Sequence, residues 1–159
     1  MTATQTSAPP VDVPWLSAEQ QRVWRAYLLG SARLVVRLEA KLREFGLDLG
    51  EYEILVRLSD ADGHRVRMAE LADSVQQSRS RLTHTVGRME TAGLVERVSC
   101  PTDRRGVWAH LTDQGMALLE SAAPAHVRSV RQYFVEAMSE ADYAALGRAF
   151  LAVSDACAK

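Results

Sequence analysis

The chain has 159 residues, a formal net charge of -1, and a hydrophobic share of 47% with only 6% aromatic residues. That size predicts one domain, and that composition predicts a helical protein with an ample core. With no run of eighteen apolar residues, no basic-then-apolar opening and no CxxC spacing between Cys100 and Cys157, the sequence speaks against a helical membrane span, a secretory signal, a disulfide framework and a zinc site. A reducing cytoplasm, with neither metal nor cofactor, is the expected setting.

Residues 1–14 are rich in Thr, Ser, Ala and Pro and read as a disordered arm, ahead of a single domain over 15–159. Ser17 and Gln20 fit a capping box, each side chain serving the other's backbone amide. They open a long helix with Val23, Trp24, Tyr27, Leu28, Val35, Leu38, Leu42 and Phe45 at helical spacing, ended by Gly46. Asp48 and Glu51 form a second box, before a helix carrying Tyr52, Leu55, Val56 and Leu58. Asp62-Gly63 turns the chain, and Arg65-Val66-Arg67 reads as a short strand beside a later hairpin. Met68, Leu71, Ala72 and Val75 mark a short helix with no Ser, Thr or Asp cap, and Gln76-Gln77 is a tight link.

Ser78 then caps a helix running to about Thr91. Leu82, Val86 and Met89 share one of its faces. About 180° away, at roughly 100° per residue, lie Ser80, Arg81, His84, Gly87 and Arg88, with Thr83 at the edge. Gly87 is unexpected there, since glycine costs about 1 kcal/mol in a helix interior. Gly93 is the stop. Leu94 to Val98 and Val107 to Leu111 read as strands around a polar tip, 99–106, that holds Asp103, Arg104 and Arg105. Thr112 caps another long helix, with Met116, Leu119, Ala123, Val127, Val130 and Phe134 on its buried side and a kink predicted at Pro124. Ser139 caps the last helix, with Tyr143, Leu146, Phe150 and Val153 on one face. No internal repeat occurs.

Two helices on so short a link form a helix-turn-helix pattern, here followed by a hairpin. From Gln77 to Thr112 six arginines (79, 81, 88, 97, 104 and 105) stand against Glu90, Glu96 and Asp103, a net of +3, which leaves -4 for the remainder. Arginine forks match phosphates and guanine edges, which lysine does not do in the same way. Positive charge is thus concentrated where a polyanion would dock. Each piece alone has a plainer reading, a solvated helix face or a solvated hairpin tip. Two other classes stand beside this one. An enzyme is not expected, because His64, His84, His110 and His126 lie near no nucleophile elbow and no glycine-rich phosphate loop occurs. A winged helix used for protein contact would tolerate a neutral wing and recognition helix, whereas this chain has arginines in both.

The quoted pattern resembles one family. Leu71-Ala72, Ser78-Arg79-Ser80-Arg81-Leu82-Thr83, Arg88-Met89-Glu90, Ala92-Gly93-Leu94-Val95, Asp103-Arg104-Arg105-Gly106 and Leu111-Thr112 together look like the MarR family of bacterial winged-helix transcription regulators. The resemblance implies a mainly α fold with a small β-hairpin wing. It implies a winged-helix lobe over 48–112 and dimerisation helices over 15–46 and 113–159. A homodimer would then read two half-sites of a pseudo-palindromic operator about one helical turn apart, more often as a repressor. On the recognition helix, Ser78, Arg79, Ser80, Arg81, Thr83, His84 and Arg88 become the candidate DNA contacts. Ser80, Arg81 and His84 are expected toward bases, Ser78 and its neighbouring amides at a phosphate, and Arg88 at another. At the tip, Arg105 is implied in the minor groove, Asp103 orienting it, and Arg104 over phosphate. A small phenolic or anionic effector is implied between the dimer helices and the reading lobe, with Trp24, Tyr27, Arg33, Tyr52, His64 and Trp108 as candidate lining. A redox-responsive regulator acting through Cys100 is an alternative, although the peroxide-sensing branch uses a cysteine near the start of the chain, where this sequence has none.

Overall fold

The computed structural model describes residues 13–100 and 103–158, apart from the side chains of 100 and 103–105. Residues 1–12 of the expected arm over 1–14 therefore lie outside the described residues, while Val13 and Pro14 are exposed and in no helix or strand. The chain divides into two compact units, 1–33 and 34–159, and the division falls inside the first helix, α1 (Ala18–Leu42). In the first unit the capping box is made as expected. Ser17 N donates to Gln20 Oε1 at 2.8 Å, and Gln20 N donates to Ser17 Oγ at 3.1 Å. Its large apolar side chains, Trp15, Val23, Trp24, Tyr27, Leu28 and Leu29, are all exposed.

The second unit holds the core. Leu42 at the end of α1, a 3-10 turn (Arg43–Phe45) and Gly46 at φ 75° bring the chain to α2 (Leu49–Ser59). Asp48 and Glu51 complete the second capping box. Helix α2 packs against α3 (Met68–Ser74), α4 (Arg79–Thr91), α5 (Asp113–Val130), β1 (Arg65–Arg67) and β3 (Asp103–Leu111). That central place explains why Ile54, outside the expected stripe, is as buried as Leu55 and Leu58. Leu71, Leu82, Val86, Met89, Val95, Ala109, Leu111 and Leu119 complete the cluster.

Two turns close helices in the same way. At the end of α4, Gly93 N donates to Glu90 O and Leu94 N to Met89 O, with Gly93 at φ 74°. This is a Schellman stop. The end of α3 repeats it without glycine: Gln76 takes φ 52°, Gln76 N donates to Asp73 O and Gln77 N to Ala72 O. A residue with a Cβ is disfavoured there. The Gln76 side chain offsets part of that cost by donating from Nε2 to Asp73 O at 2.9 Å.

The sheet has the order β1-β3-β2, with β2 spanning Val95–Cys100 and all pairs antiparallel. Both hairpin strands run further than the sequence suggests. The ladder passes Ser99↔Val107 and, after a register shift, reaches Cys100↔Asp103. Backbone pairing needs no apolar side chain, so polarity alone marked the tip as loop too early. Thr112 joins three elements: its Oγ1 donates to Gly93 O at 2.7 Å and accepts from Gly115 N at 3.0 Å. Gly115 is obligatory in this packing, because a Cβ there would stand 2.1 Å from Leu94 O.

Helix α5 continues through Pro124 to Val130, and the wider, π-helical winding comes afterwards, at Arg131–Val135. Ser139 caps α6 (Glu140–Cys157), which buries none of its residues in the single chain. Tyr143, Phe150, Leu151 and Val153 are exposed. Among the described residues no helix is long and apolar enough to cross a membrane.

Candidate nucleic-acid interface

Helix α4 is fixed from one side and open on the other. Ser78 accepts from Arg81 N at 3.2 Å and stands in extended backbone, so the helix starts where the sequence places it. Leu82, Val86 and Met89 are buried beneath it. Thr85 is buried with them, which its polar type concealed. Its hydroxyl donates to Arg81 O at 3.1 Å, so the side chain carries no unmet polar group into the core.

Arg79, Ser80, Arg81, Thr83, His84 and Arg88 are exposed, so the expected reading face exists. Hollows of about 470 Å³ flank it on both sides. One is lined by Ser78, Ser80, Arg81 and His84, among others, and the other by Arg67, Arg79, Thr83 and Arg97 together with Met68 and Val107. Among the described residues neither Arg79 nor Arg81 is held in an ion pair.

Arg88 stands in an internal ion pair. The sequence reading sends it to a phosphate; here its Nη2 sits 3.2 Å from Asp48 Oδ2 and 2.9 Å from Glu51 Oε1. Its neighbourhood is acidic because the α2 capping box lies against the exposed side of α4. Arg97 is committed as well: its backbone N, Nε and Nη2 all donate to Glu90. Those hydrogen bonds hold the Glu90 carboxyl below its ordinary range. Of the four arginines here with described side chains, two are neutralised internally and two are open. The side chains of Cys100, Asp103, Arg104 and Arg105 lie outside the described residues.

The family model described as "MarR family" matches residues 45–106, from the approach to α2 through the hairpin. AbsC, a MarR family transcriptional regulator from Streptomyces coelicolor, is 41% identical, with 91% of this chain and 98% of that one covered and a TM-score of 0.88. Sco3205, another MarR family regulator from the same organism, solved in complex with DNA, is 39% identical over 91% of each chain, also at a TM-score of 0.88. This chain belongs to the MarR family. Among curated relatives, the HTH-type transcriptional repressor YetL of Bacillus subtilis (strain 168) is 32% identical over 85 residues, 54% of this chain and 51% of that protein. The chain thus matches only about half the length of the first such relatives. The MarR-type architecture expected from the sequence, mainly α with a small β wing, is the architecture found.

Beyond α4, this MarR-family chain carries cations that the sequence reading passed over. Arg65 and Arg67, on β1, each place a guanidinium 5.3 Å from the centre of the Trp108 ring on β3. The pairing Arg67↔Trp108 sets them there, a signal available only once β1 is registered against β3. Beside them His110 Nδ1 lies 2.9 Å from Glu96 Oε1.

Of the six candidate effector residues, Tyr52, His64 and Trp108 fall in the 34–159 unit. Trp24, Tyr27 and Arg33 belong to the 1–33 unit. Tyr52 lines a cleft of about 540 Å³ with Leu38, Val56, Arg57 and His126, whereas Trp108 lines another hollow and His64 turns its Nδ1 to Ser59 O at 3.1 Å. His126 is the residue sequence reasoning missed. Its ring lies against Tyr52 at 4.4 Å between centroids, tilted by 36°, and its Nδ1 is buried with no hydrogen-bond partner among the described residues. Burial pushes the Tyr52 phenol up and the His126 imidazole down from their ordinary values.

Proposed function

We propose that this chain is a sequence-specific, double-stranded DNA-binding transcriptional regulator, not an enzyme, and that it acts as a homodimer on a pseudo-palindromic operator. The observation that carries this reading is the open start of α4. Among the described residues Arg79 and Arg81 stand exposed and outside any ion pair on either side of Ser80, at the start of a helix that Ser78 caps and that buries Leu82, Val86 and Met89 in the core. Rigid presentation matters because base-edge contacts depend on the register that phosphate contacts set. Similarity to Sco3205, solved with DNA, supports the same reading. In this proposal Ser78, Arg79, Ser80, Arg81, Thr83 and His84 face the major groove, and Asp103, Arg104 and Arg105 serve the wing.

Dimerisation is supported by apolar side chains that the single chain leaves in water. They include Trp24, Tyr27, Leu28 and Leu29 in residues 1–33 and Phe150, Leu151 and Val153 on α6. Large exposed apolar side chains that form a contiguous patch mark a protein–protein contact site. Repression, and release by a small aromatic or anionic effector, complete the proposal; the Tyr52–His126 cleft supports the second.

Selection of bound sequences from a random duplex pool, followed by titration at several salt concentrations, tests the reading. A recovered palindrome bound with steep salt dependence is expected. No enrichment, or a monomeric mass in light scattering at micromolar concentration, overturns it.

A further inference from the structure

We infer that Arg88 acts in DNA recognition as a positioning residue, working through Asp48 and Glu51 rather than through a phosphate. The inference rests on the DNA-binding reading above and deepens it. Its basis is a division of labour among four carboxylate oxygens. Asp48 Oδ1 accepts from Glu51 N at 2.8 Å, and Glu51 Oε2 accepts from Asp48 N at 3.1 Å. These two bonds build the capping box at the start of α2 and hold both carboxylates in fixed orientations. The other two oxygens, Asp48 Oδ2 and Glu51 Oε1, converge on one nitrogen, Nη2 of Arg88.

Arg88 is therefore received by a preformed cradle, which spares part of the side-chain ordering that weakens most exposed ion pairs. Glu51, the shorter contact, is also the more covered partner, with 14% of its side chain exposed. The cradle belongs to α2, a central element of the core, and Arg88 belongs to the far half of α4, so the pair fixes one helix against the other. Asp48 and Arg88 also line the same hollow as Ser78, Ser80, Arg81 and His84. The lever from Arg88 back to Arg81 is about 10 Å at 1.5 Å per residue. Rotation of α4 over its apolar contacts would displace Arg79 and Arg81 from register, and recognition tolerates shifts of only about 0.5 Å.

Carboxylates near DNA repel it, so simple electrostatics expects their neutralisation to tighten binding. A positioning role expects the reverse, and that opposition of sign makes the test sharp. The full chain is compared with Arg88→Gln, with the double variant Asp48→Asn/Glu51→Gln, with all three changes together, and with Arg88→Lys. Asn and Gln keep the capping bonds while removing charge. The duplex is the one recovered by selection, titrated across salt, with melting followed in parallel.

The expected result is a loss of affinity of about three- to tenfold in Arg88→Gln and in the acid double variant alike, with no further loss when they are combined. The salt slope should match wild type and melting should move by only a few degrees. Arg88→Lys should recover most of the affinity, because one nitrogen serves both carboxylates. Tighter binding by the acid variant, with a slope lower by about one in Arg88→Gln, would make Arg88 a phosphate contact and overturn the inference. Wild-type affinity in both variants would overturn it as well. A wild-type chain that selects no duplex fails the functional reading itself, before any variant is compared, and takes this inference with it.

Discussion

Arginines occur at both ends of α4, and the two ends use them differently. At the start, Arg79 and Arg81 are exposed with no ion pair among the described residues. Toward the end, Arg88 is held by Asp48 and Glu51, and Glu90 holds Arg97 of β2. The difference teaches that a charge count along a segment is not a map of available charge. A guanidinium already facing carboxylates must leave them before it can meet a phosphate. One end of the helix is arranged to meet a partner, and the other is arranged to stay where the core puts it.

The sharpest way to break this contrast is at the anchored end. Gly115→Ala would set a methyl 2.1 Å from Leu94 O, beyond what side-chain adjustment can relieve. We expect a loss of about 3 kcal/mol or more in a urea or thermal melt, since overpacking against backbone forces the backbone to move. Wild-type melting would mean that the junction behind α4 is loose. Next comes the open end. Arg81→Ala should melt like wild type yet lose about tenfold or more in affinity for the selected duplex, a base contact being worth about 1–3 kcal/mol. Arg79→Ala should lose less and lower the salt slope by about one, as a phosphate contact does. Equal affinity in all three proteins would show that the open end is not the reading end.

A third change sharpens the comparison by leaving contacts alone. A Cβ added at Gly87 meets nothing within 4 Å. Gly87→Ala should therefore raise stability by about 0.5–1 kcal/mol, the usual gain on removing an interior helical glycine. An unchanged melt would show that this turn is already strained. The smallest effect concerns pH. His126 titrates below its ordinary value of 6.5 in the folded chain because burial disfavours its charged form. The unfolded chain then binds more protons between the folded value and 6.5, so stability is complete above that window and falls as pH drops into it. Melting temperature should decline slightly from pH 7.5 to 5.5 in wild type and stay flatter in His126→Phe. Glu90 acts in the same direction but only under more acid conditions.

Much of this was legible in the sequence because much of it is local. Ser17, Asp48, Ser78, Thr112 and Ser139 all cap the helices they were expected to cap, since a cap involves residues three apart. The apolar stripe of α4 was legible for the same reason. Thr85 was not, because its place in the core depends on a hydroxyl turned back into its own helix. The end of α3 carries no glycine, so nothing in the residue types announced the left-handed turn at Gln76. The ion pair of Arg88 was not legible because its carboxylates lie 37 and 40 residues away, and only folding makes them neighbours. The Tyr52 cleft was not legible for the same reason, since His126 reaches it from α5.

The Thr112 hydroxyl gives the fold a mechanical property. Its oxygen bonds to Gly93, just past α4, and to Gly115, in the first turn of α5. With no spare room between Gly115 and Leu94, the two helix ends behave as parts on a common pin. A displacement of the first turn of α5 would therefore have to carry the foot of α4 with it or break the Thr112 bonds.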